Sequence, residues 1–260
     1  MRCHITAFAV LIAVSVFGAQ PAAAEKLIVS ISRHQVLVTS SFTGTSIVLF
    51  GTVEPDTPTF RMRNAYDIVV TVTGPRQTLV TRRKERMFGI WANAASRTFV
   101  NVPSYLHIMA NRPFDQIANT DTLRRLQGGI DYFQLPQQIG TDVADTVRED
   151  PFRVNFVRLK TEQQLYGQWP NGVTFLTPTL FRAEIRLPAE APFGNYDADV
   201  KLFGGGNMIV RVNSAFEVVK FGFEQFVANA ARDYGLLYGI ATVMMALATG
   251  WFASVVFRRD

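Results

Sequence analysis

The densest group of chemically able side chains is Arg82-Arg83-Lys84-Glu85-Arg86, with Arg76 six residues earlier. A guanidinium offers forked donors that match the oxygens of carboxylates, phosphates and sulfur oxyanions, and lysine adds a compact charge. These types at this spacing point to anion binding, with a small oxyanion or acidic lipid headgroups as the bound group. Glu85 paired locally on a solvated strand end accounts for the same run, because charge runs mostly face water. The run stands before Gly89-Ile90-Trp91, which places it at the end of a strand.

Other chemistry finds little support. His34 and His107 are the histidines beyond residue 24, and neither has a second ligand at helical or turn spacing, so no metal site is expected. Both lie in strand-like segments and read as hydrogen-bonded or edge residues. Asp142, Asp145, Glu149 and Asp150 form an acidic run without the alternating oxygens and central glycine of a calcium loop; charge at a helix N-terminus explains it better. Gly204-Gly205-Gly206 is followed by a strand pattern rather than a helix, which makes it a hairpin turn and not a phosphate loop. The sequence carries no G-x-S-x-G, H-E-x-x-H, P-loop or dinucleotide fingerprint. No catalytic residue and no cofactor is expected, and the chain reads as a non-enzyme.

The elements that hold these residues begin from the chain's far end. Residues 234–257 carry no charge and, at about 1.5 Å per residue, reach some 36 Å, enough to cross a ~30 Å hydrocarbon core. Tyr234, Tyr238, Trp251 and Phe252 bracket the run as interfacial aromatics do. Gly235, Gly239, Thr242, Ala246, Gly250 and Ser254 recur at steps of three or four, a small-residue face on which another helix can pack. At the other end, residues 1–24 combine a polar opening, an apolar run and Ala22-Ala23-Ala24, a signal peptide that would leave Glu25 first and remove Cys3. The resulting topology is a single-pass protein with its N-terminal domain outside and residues 258–260 as a cytoplasmic tail. Residues 25–233 hold 23 basic and 20 acidic residues, a balance of about +3, and export argues against nucleic acid.

Within residues 25–220 the pattern is mainly β. Leu27, Val29 and Ile31 alternate with polar neighbours, followed by Val36 and Val38, and by buried runs at 47–50 and 68–70. Breaks fall at 43–45, 54–58 and 73–76, and strands continue at 77–81, 88–91 and 98–102. Residues 111–168 are helical in character. Asp121 caps a predicted helix over 122–127. Asp150-Pro151 opens another that carries Phe152, Phe156, Leu159 and Tyr166 on one face and closes at Gly167. Strands return at 174–176, 181–187, 196–203 and 208–219. The expectation is an Ig-like antiparallel β-sandwich with a helical insertion, a juxtamembrane segment at 221–233 and one C-terminal transmembrane helix; two small β-domains are the alternative.

Ser40-Ser41-Phe42-Thr43-Gly44, Val48-Leu49-Phe50-Gly51, Asp67-Ile68-Val69-Val70, the Arg82–Arg86 run and Gly89-Ile90-Trp91 stand in one order. Val219-Lys220-Phe221-Gly222-Phe223-Glu224-Gln225-Phe226, Leu237-Tyr238-Gly239 and Phe257-Arg258-Arg259-Asp260 complete the set. It resembles the alphaproteobacterial putative transmembrane protein family over nearly the whole mature chain. The resemblance implies an inner-membrane protein with a periplasmic domain. Members are often encoded beside permeases of the sulfite-exporter type, which implies an accessory role in anion export. It supplies no catalytic residues. The partners expected are the bilayer and a polytopic permease, or self-association through the helix. An independent tethered ligand-binding or sensing module is the second reading, and an envelope enzyme the third.

Overall fold

The computed structural model describes residues 25–54, 66–139, 142–145, 147–222, 227 and 230–256. The expected signal peptide, the turn at 55–58, Phe223 and Phe226 of the juxtamembrane segment, and residues 257–260 lie outside the described residues.

Two sheets face each other. One has the order β1 (Lys26–Ile31), β3 (Gly44–Glu54), β12 (Leu180–Pro188), β11 (Val173–Phe175). The other runs β10 (Tyr166–Trp169), β7 (Leu106–Ala110), β4 (Asp67–Thr73), β13 (Gly194–Gly204), β14 (Asn207–Lys220), β2 (Gln35–Val38). Pairing is antiparallel inside both sheets. The two edges of the six-stranded sheet, β10 on β7 and β2 on β14, are parallel. The period-2 alternation decides which residues face the interior: Phe181, Ala183, Ile185 and Leu187 of β12 are buried while Arg182, Glu184 and Arg186 look outward. Ile68, Val70 and Val72 of β4 pair with Leu202, Val200 and Ala198 of the neighbouring β13, and all six are buried. Tyr196, at the start of β13, donates its hydroxyl to the Pro192 carbonyl at 2.7 Å and fixes that corner.

The six-stranded sheet is covered on both faces, which is why Asp67 through Val72 are all buried. Its second face meets the segment expected to be helical, and that segment is only partly so. It forms α1 (Phe114–Ile117), α2 (Thr120–Arg125) and α3 (Pro151–Glu162). It also contributes two short strands, β8 (Pro136–Ile139) and β9 (Asp142–Asp145). These add to β5 (Arg76–Met87) and β6 (Ile90–Pro103) as a third sheet that the sequence pattern did not reveal. Phe156 of α3 stacks on Phe99 of β6 at 4.6 Å and meets Tyr166 of β10 edge-on at 5.9 Å, tying third sheet, helix and sandwich together. The buried Arg153 donates to the Phe133 carbonyl at 2.7 Å and lies 3.7 Å from Asp145.

Several predicted boundaries move, each for a local reason. The cap of α2 is Asn119, which accepts from the Thr122 amide at 2.8 Å, not Asp121. Helix α3 does begin at the Asp150 cap, but it ends at Glu162. Gln164 turns left-handed (φ 58°), and the Leu165 and Gln164 amides bond back to Lys160 and Thr161. Gln127 closes α2 the same way (φ 52°). Both ends are Schellman motifs with glutamine in the place where glycine is the usual occupant. Tyr166 therefore belongs to β10, and Gly167 is no cap: a Cβ there would come within 2.0 Å of the Trp169 ring. Asp142 and Asp145 sit in β9 rather than at a helix N-terminus, and His34 stands in the bend between β1 and β2.

The last helix, α4 (Gly235–Val256), has 22 residues and a length of about 33 Å, sufficient for a bilayer core. Its apolar side chains are exposed on every side.

Candidate functional site

Strands β5 and β6 form one long hairpin, and the basic run occupies the C-terminal end of β5, one residue short of its last residue, Met87. Of the expected strand at 88–91, Ile90 and Trp91 open β6, while Phe88-Gly89 is the hairpin's two-residue turn, with φ of 49° and 86°. Positive φ at both turn residues is the type I′ pattern that matches strand twist, and glycine takes the second position without strain. Alternation along β5 puts Arg82, Lys84 and Arg86 on one face and Arg83 and Glu85 on the other. Arg97 of β6 pairs with Thr81 and so shares the face of Arg83.

The N-terminal half of α3 lies against this edge. The Arg83 and Arg97 guanidinium carbons stand 6.0 and 5.2 Å from the centre of the Phe152 ring, as cations over an aromatic face do. A cleft of about 240 Å³ opens between them, lined by Arg82, Arg83 and Lys84 from the hairpin and by Phe152, Asn155 and Arg158 from α3. Acidic neighbours offset part of the charge: Glu85 pairs with Arg83 at 2.5 Å, and Glu162 with Arg158 at 3.2 Å. Both pairs are largely exposed and contribute little stability. The arrangement can hold an anion of a few heavy atoms through forked donors.

Of the predicted anion ligands, Arg82, Arg83 and Lys84 border this cleft, and of the three only Arg83 shares the face turned to Phe152. Arg86 lies nearer the hairpin tip, opposite Trp91. Arg76 is at the hairpin base, roughly 20 Å along the strand from Arg82, and donates to the Asn101 carbonyl at 3.0 Å. Sequence reasoning missed Arg97, Arg158 and Phe152, because only the hairpin register and the packing of α3 bring them to the run.

A second cleft, of about 390 Å³, lies where β12 meets the β7–β10 edge, with His107, Trp169, Arg182, Glu184 and Arg186 among its walls. His107 is 2% exposed. Its Nε2 faces the Gln164 carbonyl at 3.2 Å, so that nitrogen carries the proton, and Nδ1 is 2.5 Å from the Tyr105 hydroxyl. The Arg186 carbonyl also lies 2.7 Å from that hydroxyl, whose single proton serves either this oxygen or Nδ1. Burial holds the imidazole pKa down to about 4; the Gln164 carbonyl opposes this and the Arg186 charge adds to it. His107 is therefore a neutral, positioned wall of the cleft. Among the described residues no three His, Cys, Asp or Glu side chains gather as a metal site.

In α4 the residues Gly235, Gly239, Thr242, Ala246 and Gly250 fall within roughly 80° of arc, with Ser254 some 40° beyond. Thr242 donates its hydroxyl to the Gly239 carbonyl at 2.8 Å.

A β-rich domain followed by one apolar helix of spanning length defines a single-pass, membrane-anchored protein. The chain belongs to the family described as putative transmembrane protein (Alph_Pro_TM), whose pattern matches residues 26–259. No curated protein matches its sequence. Among solved structures it is similar to the N-terminal domain of the Streptococcus gordonii adhesin Sgo0707, at 8% identity and a TM-score of 0.25. That similarity covers 75% of this chain and only 32% of the adhesin chain.

Proposed function

We propose that the protein is a non-enzymatic accessory subunit of the bacterial inner membrane that assists a polytopic permease of the sulfite-exporter type. The periplasmic domain gathers anions at the mouth of the partner, and α4 packs against it through Gly239, Ala246 and Gly250. The observation that carries this reading is the approach of Arg83 and Arg158 across one cleft, with Arg97 beside them over Phe152, in a domain tethered to the bilayer by a single helix. Such a cleft raises local anion concentration without chemistry of its own. Copurification of the full-length, C-terminally tagged protein in mild detergent, read by mass spectrometry, tests it. A stoichiometric multi-spanning permease that disappears in the Gly239→Leu/Gly250→Leu variant is the expected result. A solitary protein, or recovery unchanged by those substitutions, overturns it.

The His107 cleft favours a second reading, an independent tethered binding module, since Arg182 and Arg186 flank a cavity of small-ligand size. Titration calorimetry of the full chain with sulfite, sulfate and phosphate separates the two: binding without any partner, abolished by Arg186→Gln, supports the module.

A further inference from the structure

The tip of the β5–β6 hairpin presents four large apolar side chains to water. Phe88 is 103% exposed, Ile90 and Trp91 are each 70% exposed, and Met87 is 47% exposed. Phe88 also occupies a left-handed backbone position, which a bulky residue takes at a cost, and its ring makes no return by packing on the domain. An apolar cluster this exposed is a contact surface, not a contribution to folding. Behind it come Arg86 and Lys84, one face of β5, about 7 and 13 Å from the apex at the rise of a strand. The acid in this stretch, Glu85, is on the opposite face and paired with Arg83.

The geometry points to a docking finger for the anionic surface of a bilayer: Phe88, Ile90 and Trp91 enter the headgroup–acyl boundary while Arg86 and Lys84 meet lipid phosphates. Apolar side chains of an interfacial element sit roughly 5–10 Å into that boundary, so the two cations fall at headgroup level. Tryptophan favours that level, being apolar in body with one polar N–H. The same chain carries α4, so the surface is always close and a weak second contact is enough to hold the domain down. Charge complementarity and the chain's own anchor favour lipid as the occupant; a second copy or a permease surface is apolar without requiring anionic groups beneath the tip. The inference does not depend on the permease reading.

The test uses the full chain with Cys3→Ser and Met87→Cys, labelled with an environment-sensitive nitrobenzoxadiazole dye and reconstituted in vesicles. In phosphatidylcholine vesicles containing phosphatidylglycerol the dye should shift to the blue and be quenched by lipids spin-labelled near the headgroup. Phe88→Ser/Trp91→Ser should abolish both signals. Lys84→Gln/Arg86→Gln, which leaves the apolar tip intact, should move the docking equilibrium roughly twenty-fivefold towards the free hairpin, each surface charge being worth about fivefold. A dye that stays fully open to aqueous acrylamide in these vesicles overturns the proposal. So does a blue shift that appears in detergent and grows with protein concentration, which assigns the tip to a second copy. Near-UV circular dichroism of each variant verifies that the domain remains folded.

Discussion

Acidification should weaken the domain through His107, by an amount the structure sets. In the folded chain its pKa is held down to about 4, against an ordinary value of 6.5 when the chain unfolds. The unfolded state therefore binds the proton more readily, and stability present at neutral pH is lost as the pH falls through 6.5 toward 4. At pH 7 the deficit is negligible; by pH 5 it is about 2 kcal/mol, and below pH 4 it levels at about 3 kcal/mol. The physical source is the buried site: protonation places a cation beside Arg186, away from water. The assay is urea unfolding of the full chain in mild detergent, followed by near-UV circular dichroism at pH 7 and pH 5, with His107→Gln alongside. Carboxylates titrating in the same range affect both proteins equally and cancel in the difference. Wild-type protein should lose about 2 kcal/mol more than the variant over that interval. Equal losses would refute the assignment of His107 as a buried, neutral group.

Three further outcomes follow from particular contacts. Replacing the left-handed Gln164 with glycine should raise stability by about 1 kcal/mol, because only glycine takes that backbone freely; a lower melting temperature argues against the Schellman cap. Lys201 is buried at 3% side-chain exposure between Asp199 at 2.5 Å and the Thr71 hydroxyl at 3.2 Å. Asp199→Ala should cost about 3 kcal/mol or more by stranding that cation, and Lys201→Met in the same background should restore most of it, which chemical denaturation of the three proteins measures. Asp150→Ala should cost about 1 kcal/mol by removing the carboxylate that accepts from the Phe152 amide at 2.7 Å, read from the unfolding midpoint.

Much of the fold was legible in the chain because the signals are local. Alternation at 181–187 identified β12 and its inward face, the uncharged run identified α4, and Asp150-Pro151 marked the start of α3. The helix ends were misplaced because glutamine at 127 and 164 does the work that glycine commonly advertises. The strand assigned at 88–91 starts two residues late, at Ile90, because apolar side chains usually signal burial and Phe88 here marks an exposed turn.

The sequence alone determined the existence of a β-rich domain, its membrane helix and a dense basic run, since each depends on residues within a few positions of one another. Tertiary structure alone decided that 136–139 and 142–145 would complete a third sheet and that Arg97 and Arg158 would join Arg83 beside Phe152. It also buried His107 under Gln164 and carried four apolar residues out to a hairpin tip. Those outcomes depend on strand register and on which faces pack, and such pairings are chosen by the burial of side chains distant in the chain rather than by any neighbouring residue's preference.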